Sequence, residues 1–127
     1  MLKFFSNHPE ILAVMSLRSD GSMRLIKGDE QSFANRRTFL EKIGISEKNE
    51  VSAGMAHGNK VKIITSSNER IILEYDGLVT KTPGLFISIT ISDCIPIFFY
   101  YPKEKIIAIA HAGWRGITTG IVENTLL

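Results

Sequence analysis

Three short segments carry most of the residue types that could do chemistry: Ala56-His57-Gly58-Asn59, Ser92-Asp93-Cys94-Ile95-Pro96 and His111-Ala112-Gly113-Trp114-Arg115-Gly116. Each falls at the end of a β-prone stretch, where a rigid element presents a side chain to a shared cleft. Two imidazoles and a thiolate are the soft and borderline donors that suit zinc, and three protein ligands leave a coordination position open, as in catalytic sites. The donors are far apart in the chain, so spacing alone leaves other readings open. A lone cysteine is more often a small buried hydrophobe, and Cys94 beside an imidazole is also the pairing of a cysteine nucleophile and its base. Asp93 is open too: it is a turn-capping carboxylate, or it orients a ligand histidine or acts as a general acid or base.

The third segment says more. An apolar run at 106–110 leads into a Gly-containing turn and then a helix from near Gly116, which puts free backbone N–H groups and a helix dipole at residues 113–116. Gly113 and Gly116 let a ligand approach the backbone, Arg115 offers a bidentate fork for phosphate or carboxylate, and Trp114 can stack on a planar ring. The ordinary alternative is that Trp114 packs in the interior and Arg115 is solvated.

The elements that would position these residues can be read from the same sequence. Residues 11–17 and 23–26 are apolar runs on either side of Ser19-Asp20-Gly21-Ser22, whose Asp-Gly pair predicts a hairpin turn. From Gln31, Phe33, Leu40 and Ile43 share one helical face, Asp29 or Ser32 can cap the start, and Gly44 stands where a left-handed residue ends a helix. Asn35-Arg36-Arg37 falls on the polar side of that helix, where a solvated face is the ordinary expectation. Residues 51–55, 60–65 and 70–74 are short β-prone pieces separated by Gly, Asn and Ser. Residues 85–91, 95–101 and 106–110 are nearly continuous Ile- and Phe-rich runs, as expected of central strands covered on both faces. Tyr101-Pro102-Lys103 reads as a tight turn, and Asp76-Gly77-Leu78-Val79-Thr80 as a turn entering a strand. The fold class expected is mixed α/β, a central mixed sheet flanked by helices, with residues 1–127 forming a single domain. Residues 116–127 read as a helix with Ile117, Ile121 and Val122 toward a core, and the chain stops there on two leucines, so a truncated C-terminus is expected.

Composition narrows the class of function. With 127 residues, 44% of them apolar and 22% charged, the chain is sized for one globular core. The formal charge is only +2, from 15 basic and 13 acidic residues spread along the sequence, so no basic face suits a nucleic acid. No apolar run approaches the roughly 20 residues that cross a bilayer, so no membrane partner is expected. A single cysteine suits a reducing compartment, and the expectation is a cytoplasmic protein. Nothing in the sequence sets its oligomeric state.

The three segments, in this order, resemble the signature of the YfiH-like family, also called the laccase-domain or multicopper polyphenol oxidoreductase family and associated with purine nucleoside phosphorylase activity. The resemblance rests on a His-Gly near a strand start, an Asp-Gly-Leu-Val-Thr stretch, an Asp-Cys-x-Pro segment and the complete His-Ala-Gly-Trp-Arg-Gly at 111–116. Asn35-Arg36 is similar to the Asn-Arg pair of the family's first helix. By this resemblance His57, Cys94 and His111 are zinc ligands, and the fold is YfiH-like. The implied partners are a purine nucleoside (adenosine, inosine or methylthioadenosine) and phosphate, with adenosine deamination as a companion activity. Family members are also considerably longer, which agrees with a truncated chain and leaves the activity of this polypeptide by itself an open matter. The sequence departs from the pattern at Met55, where the family has Gln, at Ser92, where it has Ala, and at residues 19–22, where its loop is Gly-Gly-Val-Ser. These changes spare the three ligands and bear on substrate preference.

Three alternatives remain: a copper-dependent polyphenol oxidase (laccase), a cysteine hydrolase and an inactive metal-binding fragment. The chain has three histidines including His8, enough for one metal site and too few for the several imidazole-bound coppers of a multicopper oxidase, so zinc is expected over copper.

Overall fold

The computed structural model describes residues 1–54, 59–91 and 95–112. The architecture is mixed α/β, and the chain divides into two compact units, Met1–Ile45 and Ser46–Leu127.

In the first unit, strands β1 (Leu2–Phe4) and β2 (Ala13–Met15) pair antiparallel, Leu2 opposite Met15 and Phe4 opposite Ala13. The hairpin predicted between residues 11–17 and 23–26 does not form. A 3₁₀ turn at Arg18–Asp20 takes its place, with the Asp20 carboxylate accepting from the Leu17 N–H at 2.8 Å. Residues 23–26 carry no strand, because the backbone carbonyls of this stretch are used by a helix instead.

That helix, α1 (Glu30–Lys42), follows the sequence closely. The Asp29 carboxylate accepts from the Ser32 N–H at 3.1 Å, an N-cap that satisfies one of the orphan donors of the first turn. At the other end Gly44 adopts φ +80, its N–H bonds to the Glu41 carbonyl, and the Ile45 N–H reaches back to Leu40, the Schellman arrangement that stops a helix. The buried row is Ser32, Arg36 and Leu40, four residues apart, while Phe33 and Ile43 are half-buried. The solvated face expected at Asn35-Arg36-Arg37 is therefore corrected at Arg36. Its guanidinium donates to the Met23 carbonyl at 2.9 Å, and Asn35 donates to the Ser22 carbonyl at 3.0 Å, so the polar residues of this face are spent on backbone that has no strand partner. Arg37 is exposed, as expected.

The second unit contains two sheets, and the chain alternates between them. Strands β3 (Glu50–Ala53), β5 (Ile71–Ile72) and β7 (Phe86–Ser88) form a parallel sheet in the order β5-β3-β7. Strands β4 (Val61–Ile63), β6 (Gly77–Thr80), β8 (Ile95–Tyr101) and β9 (Ile106–Ala112) form a mixed sheet in the order β4-β6-β9-β8. Here β4 and β6 are parallel, while β9 runs antiparallel to both neighbours. A core cluster drawn from both sheets lies between them: Val51, Ala53, Ile72, Leu78 and Ile109, closed by Ile64 and Leu85.

Among the three apolar runs expected to be central, only β9 is flanked on both sides; β7 and β8 are edges among the described residues. Hydrophobicity failed to separate them because β8 packs both of its faces partway: Phe98 rests on the core cluster, and Ile97 and Phe99 rest on Ala110 and Ala112. β8 and β9 are joined by the expected tight turn, with the Lys105 N–H bonded to the Pro102 carbonyl. No helix of the described residues is long and apolar enough to cross a membrane. The helix expected at 116–127 lies outside the described residues.

Candidate functional site

Of the residues singled out for chemistry, His111 is the one the structure describes. His57, Asp93, Cys94, Gly113, Trp114, Arg115 and Gly116 lie outside the described residues.

His111 sits near the end of β9, opposite Pro96 of β8, in the half of the strand that is fully buried. Its side chain is 2% exposed, and its Nδ1 lies 3.2 Å from Oδ1 of Asp76, which is fully buried. The same two residues also meet through the backbone, the His111 N–H donating to the Asp76 carbonyl at 2.7 Å, one step beyond the Gly77–Ala110 pair of the β6–β9 ladder. The strand pairing that begins at β6 thus delivers a buried carboxylate to the imidazole.

Asp76 is the residue that sequence reasoning passed over. Followed by Gly77 and an apolar run, it reads as an ordinary turn aspartate entering a strand. Its side chain is turned into the protein. The available signal was the position of a carboxylate at the start of a strand with wholly apolar neighbours, and that signal has no partner until the sheet places β9 beside β6.

The described neighbours of Cys94 and His57 lie at the same end of this sheet, on its two opposite edges. Cys94 directly precedes Ile95, whose partner across the ladder is Ala112, the residue after His111. Lys60 follows His57 by three residues, and its carbonyl accepts from the Asp76 N–H at 3.0 Å. Among the described residues, no three His, Cys, Asp or Glu side chains gather to hold a metal ion. The donor chemistry at the described corner suits a metal: a histidine ligand characteristically has its second ring nitrogen on a carboxylate.

Two carboxyls of the first unit are also held below their ordinary range. Leu17 and Lys42 hold the Asp20 carboxyl below its ordinary range, mainly through the Leu17 N–H. The Asp29 carboxyl is lowered by Arg24 first and the Ser32 N–H second.

The family model described as multi-copper polyphenol oxidoreductase laccase matches residues 23–127. A purine nucleoside phosphorylase of Staphylococcus saprophyticus is 33% identical, the match covering 82% of this chain and 43% of that protein. A purine nucleoside phosphorylase of Staphylococcus aureus is 34% identical, covering 69% of this chain and 36% of that protein. The crystal structure of YlmD from Geobacillus stearothermophilus is similar at a TM-score of 0.73 and 30% identity, over 79% of this chain and 41% of that one. That of Bacillus licheniformis YfiH is similar at a TM-score of 0.74 and 27% identity, over 79% and 41%. The chain spans less than half the length of these relatives.

Proposed function

Since the chain belongs to the multi-copper polyphenol oxidoreductase laccase family, with its YfiH-like members, we propose that it serves a zinc-dependent purine nucleoside phosphorylase. The substrates on this reading are adenosine, inosine or methylthioadenosine together with phosphate, and adenosine deamination is a companion activity. The relatives named purine nucleoside phosphorylase supply the reaction class. The observation that carries the metal reading is the buried imidazole of His111 against Asp76, at the end of the sheet where the chain also leads back to Cys94 and to His57.

In phosphorolysis the C–N bond from ribose to base breaks, a phosphate oxygen bonds to the ribose carbon, and the departing base takes a proton. Arg115 and the backbone N–H groups of residues 113–116 hold the phosphate, the Arg fork matching two of its oxygens. Trp114 stacks on the purine. Asp93 holds the proton that passes to the base. His57, Cys94 and His111 hold the zinc, which when bound supplies a Lewis acid and an acidified water. The cytoplasmic location belongs to the same proposal and rests on the single cysteine.

Copper oxidase chemistry ranks lower. His8, one of the three histidines, sits in the first unit against Glu10 at 3.1 Å. A second reading is favoured by one contact: an imidazole on a buried carboxylate is also how the base of a cysteine nucleophile is oriented.

Elemental mass spectrometry separates the two. About one zinc per chain, lost in both Cys94→Ala and His111→Ala, is the expected result for an open three-ligand site. It would be followed by an assay of purine release from adenosine with and without phosphate. A wild-type chain without metal would sink the zinc reading and bring the cysteine nucleophile forward.

A further inference from the structure

We propose that Asp76 is the positioning residue of this site. It locks His111 in the tautomer that carries its hydrogen on Nδ1, so that Nε2 is the unprotonated nitrogen, the one able to ligate the metal. The identity of what Nε2 meets rests on the zinc reading above; the state of the ring does not.

An ionised carboxylate only accepts, so a ring nitrogen 3.2 Å from Asp76 Oδ1 must be the one that donates. In a neutral imidazole the other nitrogen is then the acceptor. Proteins settle the tautomer of a metal-binding histidine in this way, by occupying the nitrogen that the metal does not use.

The backbone makes the arrangement rigid. Asp76 grips His111 twice, by its carboxylate and by its carbonyl, which accepts the His111 N–H at 2.7 Å. Its own N–H is donated to the Lys60 carbonyl at 3.0 Å. One residue is thereby joined to the strand carrying one candidate ligand and to the segment that leads back to another.

The energetics point away from a purely structural role. Asp76 and His111 are 0% and 2% exposed. Taking a carboxylate and an imidazole out of water is costly, and an apolar pair of similar volume would commonly hold two strands together as well or better. The neighbouring positions of the ladder are apolar: Leu78 lies opposite Ile109 and Val79 opposite Ala108. A polar pair at the head of such a ladder needs a reason other than packing.

The test uses the 127-residue chain, labelled with ¹⁵N and free of metal, at a pH where the imidazole is neutral. Long-range ¹H–¹⁵N correlation, with His111→Ala to assign the resonance, should show Nδ1 protonated and Nε2 bare. Zinc affinity measured against a chromogenic chelator should fall about 10- to 100-fold in Asp76→Asn and Asp76→Ala. The Asn variant should also show a changed tautomer population, because its amide can present a donor to Nδ1. A wild-type ring protonated on Nε2 overturns the proposal. So do folded Asp76 variants that bind zinc as tightly as the wild type. If neither variant folds, the wild-type tautomer decides. If His111→Ala binds zinc as well as the wild type, the zinc reading fails and takes the metal half of the proposal with it, while the tautomer still decides whether Asp76 sets the ring.

Discussion

The units Met1–Ile45 and Ser46–Leu127 put buried polar groups to different uses. In the first, Ser32 and Arg36 share the buried helix face with Leu40, and the helix satisfies a stretch of backbone that never joins a sheet: Arg36 serves the Met23 carbonyl and Asn35 the Ser22 carbonyl, while Ser32 bonds the Ser22 hydroxyl. In the second, the backbone is satisfied by ladders and the interior is a continuous apolar cluster centred on Val51, Leu78 and Ile109. Thr80 follows the first pattern on a small scale, its hydroxyl donating to the Ile64 carbonyl at 2.7 Å. The Asp76–His111 pair follows neither: its side-chain bond joins two residues whose backbones are already paired. The difference teaches where to look for function: a buried polar group that completes the backbone is architecture, and one the architecture could spare is a candidate for chemistry.

The comparison can be broken most forcefully in the apolar unit. Leu78→Ala removes a fully buried side chain facing Ile109, and large-to-small changes at such positions cost about 2–5 kcal/mol through lost transfer energy and the cavity left behind. Urea unfolding followed by circular dichroism should show that loss. Hydrogen exchange should show it as deprotection of β6 and β9; unchanged stability would mean the two sheets do not depend on this cluster.

In the first unit the counterpart is Arg36→Ala. It leaves the Met23 carbonyl without its charged donor, a class of bond worth about 1.5–3 kcal/mol. Deprotection should centre on α1 and residues 22–26. A variant that melts like the wild type would show that water replaces the guanidinium and that the polar framework is not what holds this unit.

The smallest effect is one of pH. Asp29 caps α1 and its folded-state pKa lies below its ordinary value of 3.8, because of Arg24 and then the Ser32 N–H. A depressed carboxyl contributes stability that is fully present above its unfolded value and is lost as the pH falls through the lower folded value. Helix ellipticity should therefore hold down to about pH 4 and fall below it, less steeply in Asp29→Ala. Acid curves of the same slope for both would show that the cap adds nothing.

Local signals were legible in the sequence wherever the physics is local. The Asp29 cap and Gly44 stop of α1 and the turn at Pro102 follow from bonds that close within a few residues; the apolar run at 95–101 matches β8, while β9 continues two residues past the run expected at 106–110 because its partners lie in β6 and β8. The family signature at His111-Ala112-Gly113-Trp114-Arg115-Gly116 was equally plain. The predicted hairpin at Asp20-Gly21 failed because the competing partner of β2 was β1, and because Asn35 and Arg36, some thirteen residues on, took the carbonyls a second strand would have used. Arg36 looked solvated for the same reason: an arginine on a helix is polar wherever it points, and only its neighbours decide whether it is buried.

What the sequence determined by itself, then, is the mixed α/β class and the helix with both of its ends; it also nominated the candidates for holding a metal or a phosphate. Periodicity, capping and donor chemistry are properties of residues and their near neighbours. The tertiary structure alone decided which strands are edges, which polar residues face inward, and that Asp76 meets His111. That contact joins residues 35 apart, and it exists only because β6 and β9 pair in one register; a slip of a single residue would turn the two side chains to opposite faces of the sheet.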